Sequence, residues 1–283
     1  MFKEQETSVS RAKFAGPLLA LGSALFCAGI SMHAVHAQTV RLPKRIATTG
    51  KITYCSDISS PPLEYYSLNS RPIGSDIDLG NAIAQRMGVK AVWKNVPFNG
   101  IVPALLARQC DAIISQLFDK PARRRVIDLI DYMNSSEALL VKSGSSRKIR
   151  TLGDLSGLKV AVENGTTVAD LLAAQNRKFQ SSGKKPMDIV VFPKDTDALQ
   201  QLQVGQVDAY GTTLETAAYY MKKSPHSFAV AGKPFGQILT AIGVRKGDPK
   251  LRTAIQTAFD SLKADGTDLK ILKKWGIEAD RLP

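Results

Sequence analysis

The sequence predicts an α/β protein of two lobes, each a mainly parallel sheet flanked by helices, with a ligand cleft between the lobes. Three observations predict it. First, PALLARQCDAIIS (Pro103 to Ser115) and DALQQLQVGQVDAYGT (Asp197 to Thr212) share one pattern: apolar residues at helical spacing pass through a polar turn into Asp-Ala and a short apolar strand. Second, the first of these units closes a βαβαβ run, the pattern of a parallel sheet. Third, the polar stretch KSGSSRKIR (Lys142 to Arg150) interrupts the chain, and the pattern restarts beyond it. Two α/β units on separate lobes place a cleft between them, where small molecules bind.

The elements follow in order. Ile52 to Ser56 reads as a strand ending at Asp57 and the turn Ser59-Ser60-Pro61-Pro62. A helix from about Leu79 to Met87 is closed by Gly88, Ala91 to Val96 is a strand, Gly100 to Arg108 a helix and Asp111 to Ser115 a strand. Ligands of such open sheets sit just beyond the strand C-termini. After the polar stretch, Lys159 to Val162 is a strand, Thr166-Thr167 caps a helix to about Lys178, Ile189 to Phe192 is a strand, and the other matching unit follows. Ile238 to Arg245 is extended. Asp248-Pro249 then opens a helix whose apolar face is Leu251, Ile255, Phe259 and Leu262, stopped by Gly266; Trp275 lies in a last short helix as a core residue.

The N-terminus differs in kind. Lys3, Arg11 and Lys13 precede an apolar stretch from Phe14 to Met32, and Val35 and Ala37 supply the small residues before a cut. Residues 1–37 read as a secretory signal peptide, so that the mature chain starts near Gln38 in an oxidising compartment. An uncleaved anchor is disfavoured because Gly16, Pro17, Gly22, Ser23 and Gly29 dilute the stretch, and a lipoprotein at Cys27 because Phe26 is too bulky for that processing.

With 38 Lys and Arg against 25 Asp and Glu, the 283-residue chain carries a formal +13. Loss of the leader leaves about +12. The charges fall in pairs and triplets without a long tract or interleaved aromatics, which indicates a solvated surface with attraction for anionic ligands or membranes and argues against nucleic acid. Beyond the leader only Cys55, Cys110 and His226 remain of the cysteines and histidines, so no zinc site is expected, nor any cofactor or nucleophile–histidine pair. A Cys55–Cys110 disulfide suits the compartment, but neighbouring parallel strands would stagger the two sulfurs, so the pairing stays open.

Three sets of residues are candidates for chemistry. Glu163-Asn164-Gly165-Thr166-Thr167 joins a strand to a helix, a place where free amides hold an anion or merely cap the helix. Lys120-Pro121-Ala122-Arg123-Arg124-Arg125 follows another strand; one guanidinium turned into the cleft would grip a carboxylate, and all three in solvent would be ordinary surface. Asp57 and Glu163 form a carboxylate pair if both face the cleft.

Taken together, DISSPPLEY, GSDIDLGNAIAQRMGV, VPFNGIVPALLARQCDAIIS, PARRRVIDLIDY, LGDLSGLKVAVENGTT, GQVDAYGT and LKADGTDLKILKKWG resemble the periplasmic solute-binding proteins of polar amino-acid ABC transporters, family 3. The resemblance implies the type II periplasmic binding protein fold: lobe 1 from 38–138, lobe 2 from 139–234, and the rest of lobe 1, with the C-terminal helices, from 235–283. The crossover strands would lie near Leu139–Lys142 and Phe235–Ala241 and act as a hinge. By position, Arg123 matches the arginine that holds a ligand α-carboxylate, and Thr166, beside Thr167, the threonine that assists it. Ser115 and Gln116 match strand-end hydrogen-bonding groups, Phe98 an aromatic wall, and Asp57 an acid that meets a ligand amine. Thr213 departs from the pattern, standing where such binders carry the aspartate that pairs with the α-ammonium; Glu163 is the candidate replacement. Ser60 and Leu63 replace wall aromatics, Phe118 a small polar residue and Lys120 a threonine cap.

The implied protein is a monomeric receptor, not an enzyme, that delivers a small carboxylate-bearing solute to an ABC transporter permease. The alternatives are an enzyme on the same fold resembling cyclohexadienyl (arogenate or prephenate) dehydratases, and a sensory module.

Overall fold

The computed structural model describes residues 41–283. The segment read as a signal peptide, residues 1–37, lies outside the described residues. Helix α1 (Lys44–Thr49) leads into β1 (Lys51–Ser56), followed by the small hairpin β2 (Tyr65–Tyr66) and β3 (Pro72–Ile73). Next come α2 (Ser75–Arg86), β4 (Lys90–Asn95), α3 (Ile101–Leu106) and β5 (Ala112–Ile113), with β1 parallel to both β4 and β5. Helix α2 starts earlier than the apolar spacing predicts. Gly74 turns the chain there, and Asp76 and Asp78 occupy the first turn, where the helix dipole favours acids.

The short α4 (Pro121–Arg124) precedes the long β6 (Ile127–Lys142). Then β7 (Lys159–Glu163), α5 (Thr167–Ser181), β8 (Asp188–Phe192), α6 (Asp195–Gln203) and β9 (Ala209–Thr213) repeat the parallel arrangement, β7 pairing with β8 and β9. Helix α7 (Leu214–Lys223), β10 (Phe228–Val230), β11 (Phe235–Arg245), α8 (Pro249–Ala264) and α9 (Thr267–Trp275) complete the chain.

The strand order β4-β1-β5-β11-β6-β9-β7-β8 contains two parallel half-sheets joined through the antiparallel pair β11 and β6. Strand β6 pairs with β11 from Ile127 as far as Glu137, with an irregularity between Ser135 and Glu137, and with β9 from Glu137 on, so it passes between the halves at Ser135 to Glu137, a few residues before 139. Its length was not legible because Asn134-Ser135-Ser136-Glu137 interrupts the apolar pattern. Three of these, Ser135, Ser136 and Glu137, are nonetheless buried.

Each half is layered helix, sheet, helix, and strand alternation assigns side chains to the layers. Ile52 and Tyr54 of β1 pack with α2 and with Leu251, Ile255 and Phe259 of α8, so the C-terminal helices share the core of the first half. Cys55 faces the other way, onto Ile101 and Leu105 of α3. In the second half, Val160 and Val162 face α5, whereas Ala161 faces Leu199 and Leu202 of α6.

Cys55 and Cys110 are disulfide-bonded, with Cα atoms 5.7 Å apart. The stagger expected of them assumed that Cys110 continues β5. Cys55 does stand opposite Ile113, three residues along from Cys110. But the chain bends at Asp111, so Cys110 belongs to the turn after α3, on the face that Cys55 presents.

Candidate functional site

The two matching units start alike. Asp111 Oδ2 accepts the Thr53 N–H at 2.8 Å, and Asp208 Oδ2 accepts the Lys159 N–H at 2.9 Å. Each aspartate thus fastens its strand to the first strand of its own half, and Ala112 and Ala209 behind them are fully buried. The strands deliver their ends to the cleft: Ser115-Gln116 from one side, Glu163 and Thr212-Thr213 from the other. There they enclose, with their rim, about 440 Å³.

From the first half, Ser115 Oγ accepts the Asp57 N–H at 2.8 Å and donates to Glu64 Oε1 at 3.0 Å. Gln116 takes a left-handed backbone (φ 42°), fixed by its N–H to Asp76 Oδ2 at 2.8 Å. Its side chain reaches across the cleft, where Nε2 donates to Thr213 Oγ1 at 3.1 Å and Glu215 Oε2 at 3.2 Å. Pro121 at the start of α4 turns the chain so that Arg123 faces the cavity, while Arg124 pairs with Asp119 and Asp131 at the surface. The Arg123 guanidinium donates to the Phe118 carbonyl at 2.8 Å and lies 5.4 Å from the centroid of the Phe98 ring, which pre-aligns it. Burial lowers its pKa to about 10, and Asp170 and Glu137 counter the shift.

From the second half, Thr166 caps α5: its Oγ1 donates to the Glu163 carbonyl at 2.8 Å and accepts from the Ala169 N–H at 3.3 Å. Thr167 Oγ1 is buried without a partner. The two halves touch. Lys120 pairs with Asp170 at 2.7 Å, and the Asp195 N–H donates to Ser59 Oγ at 3.3 Å. Gly165 lies so close to Asn99 that a Cβ would stand 2.9 Å from the Asn99 Cα.

Eight of the nine residues singled out from the sequence line this cavity: Phe98, Ser115, Gln116 and Arg123 from one side, Glu163, Thr166, Thr167 and Thr213 from the other. Asp57 is the exception. Its Oδ2 accepts the Phe98 N–H at 2.7 Å, so the carboxylate holds the aromatic wall from behind and is not part of the lining.

Three acids in the lining, Glu64, Glu137 and Asp195, were not among the residues that sequence reasoning singled out. Glu137, 1% exposed, lies on β6 directly opposite Thr213 in the β6–β9 register. Desolvation, and next the charge of Glu215, push its pKa up to about 8. Asp195 accepts from the hydroxyls of Tyr210 and Thr212, yet burial still raises it to about 7. Burial, then Asp57 and Asp195, raise Glu163; burial, then Asp76, raise Glu64. Each of these four acids keeps one oxygen with no hydrogen-bond partner. A lone glutamate heading the apolar run Ala138 to Val141 was the one local signal of Glu137.

A single guanidinium therefore shares one cavity with four carboxyl groups, at the strand ends of two α/β halves. The sequence matches the profile of the bacterial extracellular solute-binding proteins, family 3, over residues 52–278. The chain belongs to that family.

Among its relatives, the lysine/arginine/ornithine-binding periplasmic protein of Escherichia coli (strain K12) is 33% identical over 211 residues, covering 72% of this chain and 78% of that protein. An ancestral arginine-binding protein bound to arginine superposes with a TM-score of 0.73 at 32% identity, covering 80% of this chain and 98% of that one. An ancestral amino acid-binding protein described as a precursor of cyclohexadienyl dehydratase gives 0.74 at 30% identity, covering 82% and 97%. All three are binding proteins by name. No helix among the described residues is long and apolar enough to cross a membrane.

Proposed function

We propose that this solute-binding protein captures a small amino acid with a cationic side chain and hands it to the permease of an ABC transporter. The carrying observation is the charge of the cavity: one guanidinium against four acids that each leave an oxygen unpartnered. A ligand with one carboxylate and two cationic groups satisfies both sides, whereas a dicarboxylate satisfies the guanidinium and sets its second carboxylate against the acids. Names of relatives that bind arginine, lysine or ornithine support the same class.

In this reading Arg123 grips the ligand carboxylate, with Thr167 Oγ1 and the positive end of the α5 dipole assisting. Glu137 takes the α-ammonium, supplying from β6 the charge that Thr213 does not supply from β9. Glu64, Glu163 and Asp195 accept the side-chain cation, which lies along Phe98. Burial favours the protonated form of each acid in the empty site, so binding of a cation favours release of protons. The half-sheets act as the two lobes, hinged where β6 and β11 pass between them; contacts across the halves such as Lys120–Asp170 would hold the closed form. The protein acts as a monomer in the periplasm after loss of residues 1–37.

Calorimetric titration of residues 38–283 with L-arginine, L-lysine, L-ornithine, L-glutamine, L-glutamate and agmatine tests this. Basic amino acids should bind, near micromolar or about −8 kcal/mol. Agmatine, which lacks the carboxylate, should bind at least about tenfold more weakly than arginine. Glutamate as the tightest ligand would sink the proposal.

One observation favours a second reading. A buried carboxyl with a raised pKa, Glu163, in one cavity with an arginine is also what a dehydratase needs to protonate a leaving hydroxyl. Incubation with prephenate or arogenate, followed by ultraviolet absorbance for an aromatic product, separates the two; turnover would replace the receptor by an enzyme.

A further inference from the structure

A second, basic groove lies away from the acidic cavity, between the last turns of α7 and α9. Each helix carries two lysines near its end, Lys222-Lys223 and Lys273-Lys274, and all four border a groove of about 930 Å³, its open mouth included. Pro62, Tyr219, Trp275 and Ile277 supply an apolar lining. The Tyr65 ring ties the two sides together, 5.6 Å from Tyr219 and 6.0 Å from Trp275 between centroids. Lysines in a last helical turn are ordinary, because they meet the negative end of the dipole. That explains each pair, but not the convergence of two pairs on one groove.

Their charges are also largely uncompensated. Lys274 pairs with Asp78 at 2.6 Å, and Lys223 and Lys274 lie 5.6 and 5.1 Å from the ring centroids of Tyr219 and Trp275. Among the described residues, Lys222, Lys223 and Lys273 have no carboxylate partner. The one acid in the lining is Glu215, 3% exposed and engaged by Gln116 and Ser135. Four cationic groups over an aromatic floor are the complement of a multiply charged phosphate anion carried on an apolar or planar body.

We infer that the groove between α7 and α9 is a second ligand site, which takes a phosphate-bearing anion through Lys222, Lys223, Lys273 and Lys274. Two sources share that chemistry, a soluble phosphate compound and the headgroup of an anionic lipid. The assignment does not rest on which solute occupies the acidic cavity.

The test uses residues 38–283 without added amino acid. Inorganic pyrophosphate is titrated calorimetrically, and sedimentation measures binding to phosphatidylglycerol vesicles against phosphatidylcholine vesicles. The comparison is between the wild type, Lys222→Ala/Lys273→Ala, and the equally charged control Lys148→Ala/Lys184→Ala, whose lysines are exposed elsewhere. Saturable binding is expected, weakened at least about tenfold in the groove variant, unchanged in the control, and falling between about 20 and 200 mM salt. Pyrophosphate binding identifies the soluble source and vesicle binding without it the lipid; either, if groove-dependent, supports the site. Equal losses in both variants, or no binding of either probe, overturn it. Circular dichroism melts establish that both variants fold.

Discussion

The two matching units are alike at one end and different at the other. At their starts Asp111 and Asp208 make the same backbone bond to a neighbouring strand, and each meets an arginine, Arg45 or Arg147. At their ends the first unit presents Ser115 and Gln116, backed by Glu64 and Asp76, while the second presents Thr212 and Thr213, backed by Asp195 and Glu137. A shared motif at strand starts therefore reports how a half-sheet is assembled. The divergence at strand ends reports what the cleft accepts.

The largest expected effect strikes the anion side. Arg123→Ala removes the only guanidinium in the lining and leaves the ligand carboxylate buried against Thr166 and Thr167. We expect a loss of about 3 kcal/mol, or roughly 150-fold in Kd for L-arginine, measured by calorimetry. Unchanged affinity would place the carboxylate elsewhere and dissolve the division into an anion side and a cation side.

Next is Glu137→Gln, on the cation side. It keeps the shape of a side chain that is 1% exposed while removing its charge, and a tenfold to thirtyfold loss of amino-acid affinity is expected, or about 2 kcal/mol. Adding Thr213→Asp returns a carboxylate from the opposite strand of the same register and should recover part of that loss. The pH profile separates charge from shape. With its pKa raised to about 8 in the empty site, Glu137 must release its proton for a cation to bind, so wild-type affinity should rise with pH up to about 8 and then level off. In Glu137→Gln that rise flattens, leaving the weaker contribution of Asp195 near 7. Linkage acts oppositely on the empty protein. A raised folded-state pKa stabilises below the unfolded value and the stability is lost as pH rises through the folded one, so its Tm should fall between about pH 5 and 8.

Closure comes third. Gly165 has φ +81°, a backbone cost that alanine would incur with the lobes open or closed, but the 2.9 Å approach to Asn99 lies between the two halves, where the proposed closure would make it. Gly165→Ala should therefore weaken binding several-fold, about 1 kcal/mol, beyond its effect on the melting temperature of the unliganded protein. An affinity loss no larger than that stability loss would remove Gly165 from the closing contact.

How much of this was legible follows the same line between regular and irregular structure. Parallel strands in each half, the cap at Thr166 and the apolar face of α8 were readable because periodicity and capping are local. Arg123, two residues into a four-residue helix, was reached through resemblance and not through spacing. Glu137 was not reached at all. It sits in Asn134-Ser135-Ser136-Glu137, whose polarity suggests a loop, yet the stretch belongs to a continuous strand in which Ser135, Ser136 and Glu137 are buried and Glu137 lines the cavity. Asp57 was read as an acid that meets a ligand amine and lies behind the aromatic wall, because sequence order says that a residue follows a strand and not which way its carboxylate turns. The disulfide stayed open for a similar reason: a single bend at Asp111 takes Cys110 out of its strand.

The smallest expected effect concerns the similar ends, and it is the one that binding should not register. Asp111→Asn and Asp208→Asn each keep an oxygen for the backbone N–H of Thr53 or Lys159 and lose only the charge. The two sites differ in burial: the side chain of Asp111 is 5% exposed, within reach of Arg45 and Arg245, whereas that of Asp208 is 25% exposed beside Arg147 alone. Removing the more buried partner leaves the arginines less well compensated, so thermal melts should show Asp111→Asn costing about 1–2 kcal/mol and Asp208→Asn about 0.5–1 kcal/mol. Solute affinity should stay within about twofold in both, because neither aspartate lines the cavity and the mutations lie too far down their strands to couple to its ends. If either variant lost affinity in step with Glu137→Gln, the strand starts would be part of recognition, and the shared Asp-Ala motif would have to be explained by the ligand and not by the sheet.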